Sequence, residues 1–233
     1  MKATIGKSYL TVPHEGGELS FAYPAFRGNY GNVAKQIDNE KLKRPNSSKT
    51  ASLVYDAWKS PKEQYSSEII SILKDNCLWE FTGNLYLPKL DEEINNGVIL
   101  DLDSQNLKFN ENGKLVMDKN SLVQRLKNND SLVKFVPFGF KTGKQNLIEF
   151  EKNPYIQAKY GKEGAEKIAE IASKYKNKPY INSFNSVDQE EARMSALVRS
   201  WNFGGRLSVY GDYWYGYYYD GRAFGVCAPG KSQ

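Results

Sequence analysis

Cysteine and histidine are nearly absent from this chain: two cysteines and one histidine among 233 residues. Cys77 and Cys227 are too few and too distant for a disulfide framework or a four-ligand zinc site. One bridge or two separate thiols remain, and the expectation is two buried thiols. His14 lies between Pro13 and Glu15 beside Gly16-Gly17. Nothing in the pattern sets it against a nucleophile and an orienting carboxylate, so it reads as a surface-turn histidine, not a catalytic base. No apolar run approaches the roughly 18 residues of a membrane span. The opening "MKATIGKSYLTVPHEGG" has no apolar signal core. The expectation is therefore no membrane span, with the compartment left open between cytoplasm, virion and export by another route.

Concentrated charge is also missing. The formal charge is +5, carried by isolated lysines over the first 180 residues. Within 201–233, Arg206, Arg222 and Lys231 face Asp212 and Asp220, a net of +1 (three minus two). Nucleic-acid binding requires local neutralisation of phosphates, and no such stripe exists, so no nucleic-acid partner is expected.

What is present is an ordinary globular composition, 40% apolar and 25% charged, long enough for one domain over 1–233. "SYLTVPHEGGELSFAY" alternates around its glycines and predicts a hairpin with strands near 8–12 and 18–23. "NSSKTASLVYDAWKSP" predicts a serine-capped helix ending at Ser60-Pro61. In "PKEQYSSEIISILKDN", Pro61 starts a helix with Tyr65, Ile69, Ile72 and Leu73 on one face. "LWEFTGNLYLP" alternates like a strand, with Thr82-Gly83-Asn84 read as a turn. "NGVILDL" predicts a buried strand, and "DKNSLVQRLKNND" a capped helix. "SLVKFVPFGF" predicts an edge strand carrying a proline. "EGAEKIAEIASKYK" predicts an amphipathic helix, "VDQEEARMSAL" a short one, and the chain from Val198 onward short glycine-punctuated strands, with Gly211, Gly216 and Gly221 supplying turn conformations. Without a βαβ rhythm, the fold class is α+β, with helices packed on short antiparallel sheets.

Three motif matches have plainer readings. "GVCAPGKS" (225–232) satisfies the phosphate-loop pattern, but that motif works through a following helix, and only Gln233 follows Ser232; no nucleotide binding is expected. "DLDSQNLKFNEN" (101–112) lacks the glycine and glutamate of a calcium loop at Asn106 and Asn112 and reads as a solvated loop. Glu190-Glu191 and Asp91-Glu92-Glu93 read as acids at helix N-termini. Neither metal nor cofactor is expected.

The dense feature is "SVYGDYWYGYYYDGRAFGV", residues 208–226. Tyr217, Tyr218 and Tyr219 are consecutive, so both faces of any strand there would be aromatic. Leu207, Val209, Phe224 and Val226 bracket the cluster as inward anchors. Tyrosine combines large contact area, few rotatable bonds and a hydroxyl, the properties of a recognition surface.

The stretch "WNFGGRLSVYGDYWYGYYYDGRAFGVCA" resembles the variable region of diversity-generating retroelement proteins, a family that includes a phage tropism determinant and archaeal variable proteins. The resemblance rests on Trp201, the Gly204-Gly205-Arg206-Leu207 run and the closing Gly221 to Cys227. "SEIISILKDNCLWEFTGNLYLP" and "SLVKFVPFGFKTG" are similar to archaeal members. It implies a C-type-lectin-like fold without catalysis, and a ligand site at 199–227 whose codons are rewritten at adenines. The site residues it implies are Arg199, Asn202, Phe203, Tyr210, Asp212, Tyr213, Tyr215, Tyr217, Tyr218, Tyr219 and Asp220. The scaffold it implies is Trp201, Gly204, Gly205, Arg206, Leu207, Trp214, Gly221, Arg222, Phe224, Gly225 and Val226. Asparagine is frequent up to Asn202 and then disappears, as expected if asparagine codons were altered to tyrosine and aspartate. The implied partner is a macromolecule, a protein, bound by a monomer; the reverse transcriptase acts on the gene and is no stable partner. The calcium-and-sugar motifs of lectins are missing, and Trp201-Asn202-Phe203 matches one of them only in half, so sugar binding is not implied. The competing class is an enzyme of the formylglycine-generating type, which would need a reactive cysteine or a metal beside a cleft.

Overall fold

The fold comes from a computed structural model, which describes residues 8–90, 92–200, 205–214 and 220–227. In chain order the elements are β1 (Ser8–His14), β2 (Gly17–Tyr23), β3 (Phe26–Gly28), α1 (Tyr30–Asn39), α2 (Ser47–Lys59), α3 (Gln64–Asp75), β4 (Cys77–Leu87), β5 (Gly97–Asp101), β6 (Lys108–Phe109), β7 (Leu115–Val116), α4 (Lys119–Lys127), β8 (Val133–Pro137), β9 (Gly143–Lys144), α5 (Leu147–Glu151), α6 (Pro154–Ser173), β10 (Tyr180–Asn182), β11 (Glu191–Ser200), β12 (Arg206–Tyr213) and β13 (Gly221–Ala223). This is the α+β mixture the sequence predicts.

The main sheet runs β3-β13-β4-β11-β12-β10-β9, with β5 and then β8 branching from the second half of β4. It departs from the expected short antiparallel sheets. β13 pairs with β4, and β10 with β12, in parallel, and the central strands β4 and β11 run 11 and 10 residues. Because strand side chains alternate, β4 feeds two cores at once. Leu78 and Tyr86 join the cluster under α2, α3 and α6, while Trp79 and Phe81 join the cluster under α1. Leu85 and Leu87 continue the second face toward Leu122 of α4.

Several local expectations change. α2 is capped by Asn46, whose side chain accepts from Lys49 N at 3.2 Å, not by a serine. Pro61 lies in the turn ahead of α3, which starts at Gln64. Thr82-Gly83-Asn84 is no turn: β4 passes straight through it, and Phe81, Thr82 and Gly83 lie opposite Met194 alone, a bulge in an unbroken strand. "VDQEEARMSAL" is not helical. Its second half is β11, inserted between β4 and β12. Glutamate, alanine, methionine and leucine favour helix by propensity, but burial between two long strands outweighs a preference of tenths of a kcal/mol per residue. The predicted helix at 163–176 is the second half of α6, which starts at Pro154 and kinks at Gly161 (φ 71°). The β1–β2 hairpin and the burial of β5 are as expected.

Candidate functional site

The two flanks of the tyrosine-rich stretch are anchored in the same helix-covered core. On β12, Leu207 and Val209 point into the helix-covered core with no exposed surface. After β13, Phe224 and Val226 are each 2% exposed. Val226 is held by backbone bonds to Lys43, its N–H donating to Lys43 O at 2.7 Å and its carbonyl accepting from Lys43 N at 2.8 Å. Gly225 O accepts from Ala22 N at 2.7 Å, and Cys227 N donates to Ser20 O at 2.8 Å. The start of the phosphate-loop match is thus extended, paired backbone; residues 228–232 of that match lie outside the described residues.

Trp79 of β4 receives both ends of the stretch. Tyr213 meets its ring edge-on, with centroids 5.0 Å apart. Gly221 lies so close that an added Cβ would sit 2.2 Å from the Trp79 ring. Trp79 Nε1 donates to Gly28 O at 2.9 Å and fixes the indole plane. Tyr30 also packs against Trp79, at 5.5 Å, and Tyr210 against Tyr213 at 5.8 Å. Tyr210 and Tyr213 share this face although they are three positions apart. A register shift opposite Ser195 inserts an extra residue at Gly211-Asp212. Gly211 is needed for space: a Cβ there would sit 1.7 Å from the Tyr155 hydroxyl. The expectation that Gly211 and Gly221 supply turn conformations is therefore replaced by close approach of buried aromatic rings; Gly216 lies outside the described residues.

Of the implied site residues, Arg199, Tyr210, Asp212 and Tyr213 are half-buried and Asp220 is exposed. Burial pushes the Asp212 carboxyl up, against the opposing pull of Arg193 and Lys159. Asn202, Phe203, Tyr215, Tyr217, Tyr218 and Tyr219, with the scaffold residues Trp201 and Gly204, lie outside the described residues. Gly205 has φ +68°, the left-handed region. Arg206 is buried, its guanidinium 5.9 Å from the centre of the Tyr180 ring. Trp214, implied as scaffold, is 68% exposed and follows the end of β12 at Tyr213. Asp220 pairs with Arg27 at 2.8 Å.

Beneath this surface lies a polar network that the sequence reading missed. Glu80, Thr82 and Asn84 alternate on the face of β4 turned toward α2 and α6, all with no exposed surface. Lys159 of α6 lies 3.6 Å from Glu80 and donates to Ser195 Oγ. Tyr160 donates to Glu80 at 2.8 Å, Ser47 to Glu80 at 3.1 Å, and Tyr155 to Asn84 Oδ1 at 2.7 Å. Asn84 Nδ2 donates to Ser195 Oγ at 2.8 Å, and Ser195 Oγ to Thr82 O at 2.7 Å. Burial lowers Lys159 to about 8 and raises Glu80, each opposed by the attraction of the other. The network sits at the level where the bulges of β4 and β12 flank Ser195, so it fixes the register that puts Tyr210 and Tyr213 on one face. The signal was the polar alternation E-x-T-x-N at 80, 82 and 84, which looks like a solvated strand face.

His14 is also not at the surface, its side chain being 12% exposed. Nδ1 lies 2.9 Å from Ser52 Oγ, which also accepts from Lys167 Nζ at 2.9 Å. Glu15 Oε2 is 3.6 Å from Nε2, too long for the hydrogen bond that orients a catalytic base. The contacts tie the first hairpin to α2 and α6. Cys77 and Cys227 are not joined. Cys77 is buried as expected and Cys227 only half-buried. Burial pushes the Cys77 thiol up to about 12, which makes it a poor nucleophile. The presumed solvated loop at 101–112 begins in an ion-pair cluster, with Arg125 contacting Asp101, Asp103 and Asp130. Glu92 and Glu190 do not cap helices; both pair with Lys119, at 2.7 and 2.9 Å. Asp91 lies outside the described residues.

Comparison with protein-family models, curated proteins and solved structures gives no match for this chain.

Proposed function

We propose that the chain is a non-catalytic binding protein that presents a tyrosine-rich, retroelement-diversified surface at 199–227 to a protein ligand, on a C-type-lectin-like scaffold. One observation carries the reading: burial changes abruptly and then returns. Leu207 and Val209 have no exposed surface, Trp214 is 68% exposed, and Gly221 to Val226 are again buried or half-buried. The closing flank meets the Trp79 indole at Gly221. A segment fixed at each end can change its side chains without disturbing the packing of the flanks, which is what diversification requires. Large exposed aromatics are costly to leave in water and are the usual anchors of protein interfaces. The high thiol pKa of Cys77 weighs against a reactive-cysteine enzyme.

Sequencing the locus in sibling copies tests the reading without a known ligand. Substitutions should fall on Arg199, Asn202, Phe203, Tyr210, Asp212, Tyr213, Tyr215, Tyr217 to Tyr219 and Asp220, opposite adenines of a nearby repeat, with 205–209 and 221–227 unchanged. Substitutions spread evenly across 199–227, or no such repeat, would sink it.

A further inference from the structure

We propose that Arg27 and Arg222 form a fixed carboxylate-binding edge of the tyrosine-bearing surface, and that the residue at position 220 decides whether a ligand can use both. This rests on the display reading above. Arg222 of β13 and Arg27 of β3 are directly opposed in the antiparallel register, so their side chains share a face. Like charges at that spacing repel. Asp220, the residue before β13, relieves half of the repulsion. Its Oδ2 accepts from Arg27 Nε at 2.9 Å and lies 2.8 Å from Arg27 Nη2. Arg222 has only a long bond of 3.5 Å, to Gly221 O, among the described residues. Two arginines against one aspartate leave one positive charge at the rim, with Arg27 66% and Asp220 56% exposed.

The three residues differ in what holds them. Arg27 lies 193 positions from Asp220 in the chain, and Arg222 belongs to a strand fixed between β3 and β4; neither is among the residues proposed to vary. Asp220 is the last of those residues. In this chain its carboxylate fills the Arg27 fork where a ligand carboxylate would sit. Asparagine, serine or tyrosine at 220 would vacate the fork and leave a two-arginine site. A guanidinium pair takes planar carboxylates with paired hydrogen bonds. The occupant is an acidic segment of a protein and not nucleic acid, since the surrounding 201–233 region carries a net charge of only +1.

The test is the affinity of hexaglutamate peptide for the intact chain and for Asp220→Asn, by fluorescence anisotropy at fixed low salt, with hexaglutamine as control. Asp220→Asn should bind hexaglutamate roughly tenfold more tightly, the gain of one charge-assisted pair. Adding Arg222→Gln, or Arg27→Gln should the former not fold, should return the affinity to that of the parent. Equal affinity with and without Asp220, a gain that survives both glutamine substitutions, or equally tight binding of oligothymidylate would overturn the proposal. The gain should persist when Tyr215, Tyr217, Tyr218 and Tyr219 are changed to serine, so failure of the arginine edge and failure of the display reading give different results.

Discussion

Tyr155 and Tyr213 lie on opposite sides of β12 and are used differently. Tyr155 is fully buried, its hydroxyl bonded to Asn84 and lodged over Gly211. Tyr30, Tyr86 and Tyr160 are treated alike: each is at most 1% exposed, with its hydroxyl bonded to Glu80 O, Ser183 or the Glu80 carboxylate. Tyr213 is half-buried, with one edge on Trp79, and is followed by the exposed Trp214. The first group uses ring and hydroxyl together, because a buried hydroxyl without a partner costs about 1–3 kcal/mol. The second group leaves part of its aromatic area available. One residue type thus builds the frame and, on our reading, furnishes the display.

The sharpest way to separate the groups is alkaline pH. Burial raises Tyr30, Tyr86, Tyr155 and Tyr160 above the ordinary value of 10. Their contribution is complete below the unfolded value and is lost as pH rises toward the folded one. Lys159 acts oppositely. Its folded value of about 8 lies below the ordinary 10.5, so between these the unfolded chain binds more protons and stability rises with pH. Cys77, raised to about 12 from its ordinary 9, offsets that rise above about pH 9, so urea melts should show stability climbing gently from about pH 8 to about pH 9, then falling steeply above about pH 10. Lys159→Met should flatten the rising limb alone. A flat profile above about pH 10 would mean that these tyrosines are not packed as described.

Single substitutions in the frame come next. Lys159→Ala leaves Glu80 buried without its partner and should cost about 3–5 kcal/mol in denaturant melts. Phe224→Ala should cost about 3–5 kcal/mol by the cavity it leaves; a loss under about half a kcal/mol would show the closing strand is not part of the core. Gly221→Ala drives a methyl group into Trp79 and should cost about 1–3 kcal/mol, as should Gly211→Ala against Tyr155. The smallest effect on stability is expected from the display. Changing Tyr215, Tyr217, Tyr218 and Tyr219 to serine together should cost no more than about 0.5 kcal/mol each, while weakening a ligand by about 2 kcal/mol or more per anchor. An unfolded quadruple variant at room temperature would erase the distinction between the two groups.

Much of the frame was legible because its patterns are local. The β1–β2 hairpin, α2, β5 and the inward set of Leu207, Val209, Phe224 and Val226 are specified by alternation, spacing and caps within a few residues. The buried network was illegible because Glu80, Thr82 and Asn84 alternate as a solvated face would, and only α6 folding across them makes them interior. Gly211 and Gly221 were assigned the wrong task for the same reason. Sequence reveals a missing side chain, but not the ring 56 or 142 positions away that occupies its place.

By itself the sequence determined the α+β class, the anchors around the tyrosine stretch, and the lack of a concentrated basic stripe, since composition and short-range periodicity decide these. Tertiary structure alone made "EARMSAL" a strand, because two flanking partners supply hydrogen bonds and burial that outweigh a helical preference. It alone placed Lys159 beside Glu80, both ends of the stretch against Trp79, and Arg27 opposite Arg222. Those pairings join residues far apart in the chain, and only the path of the backbone sets their distance.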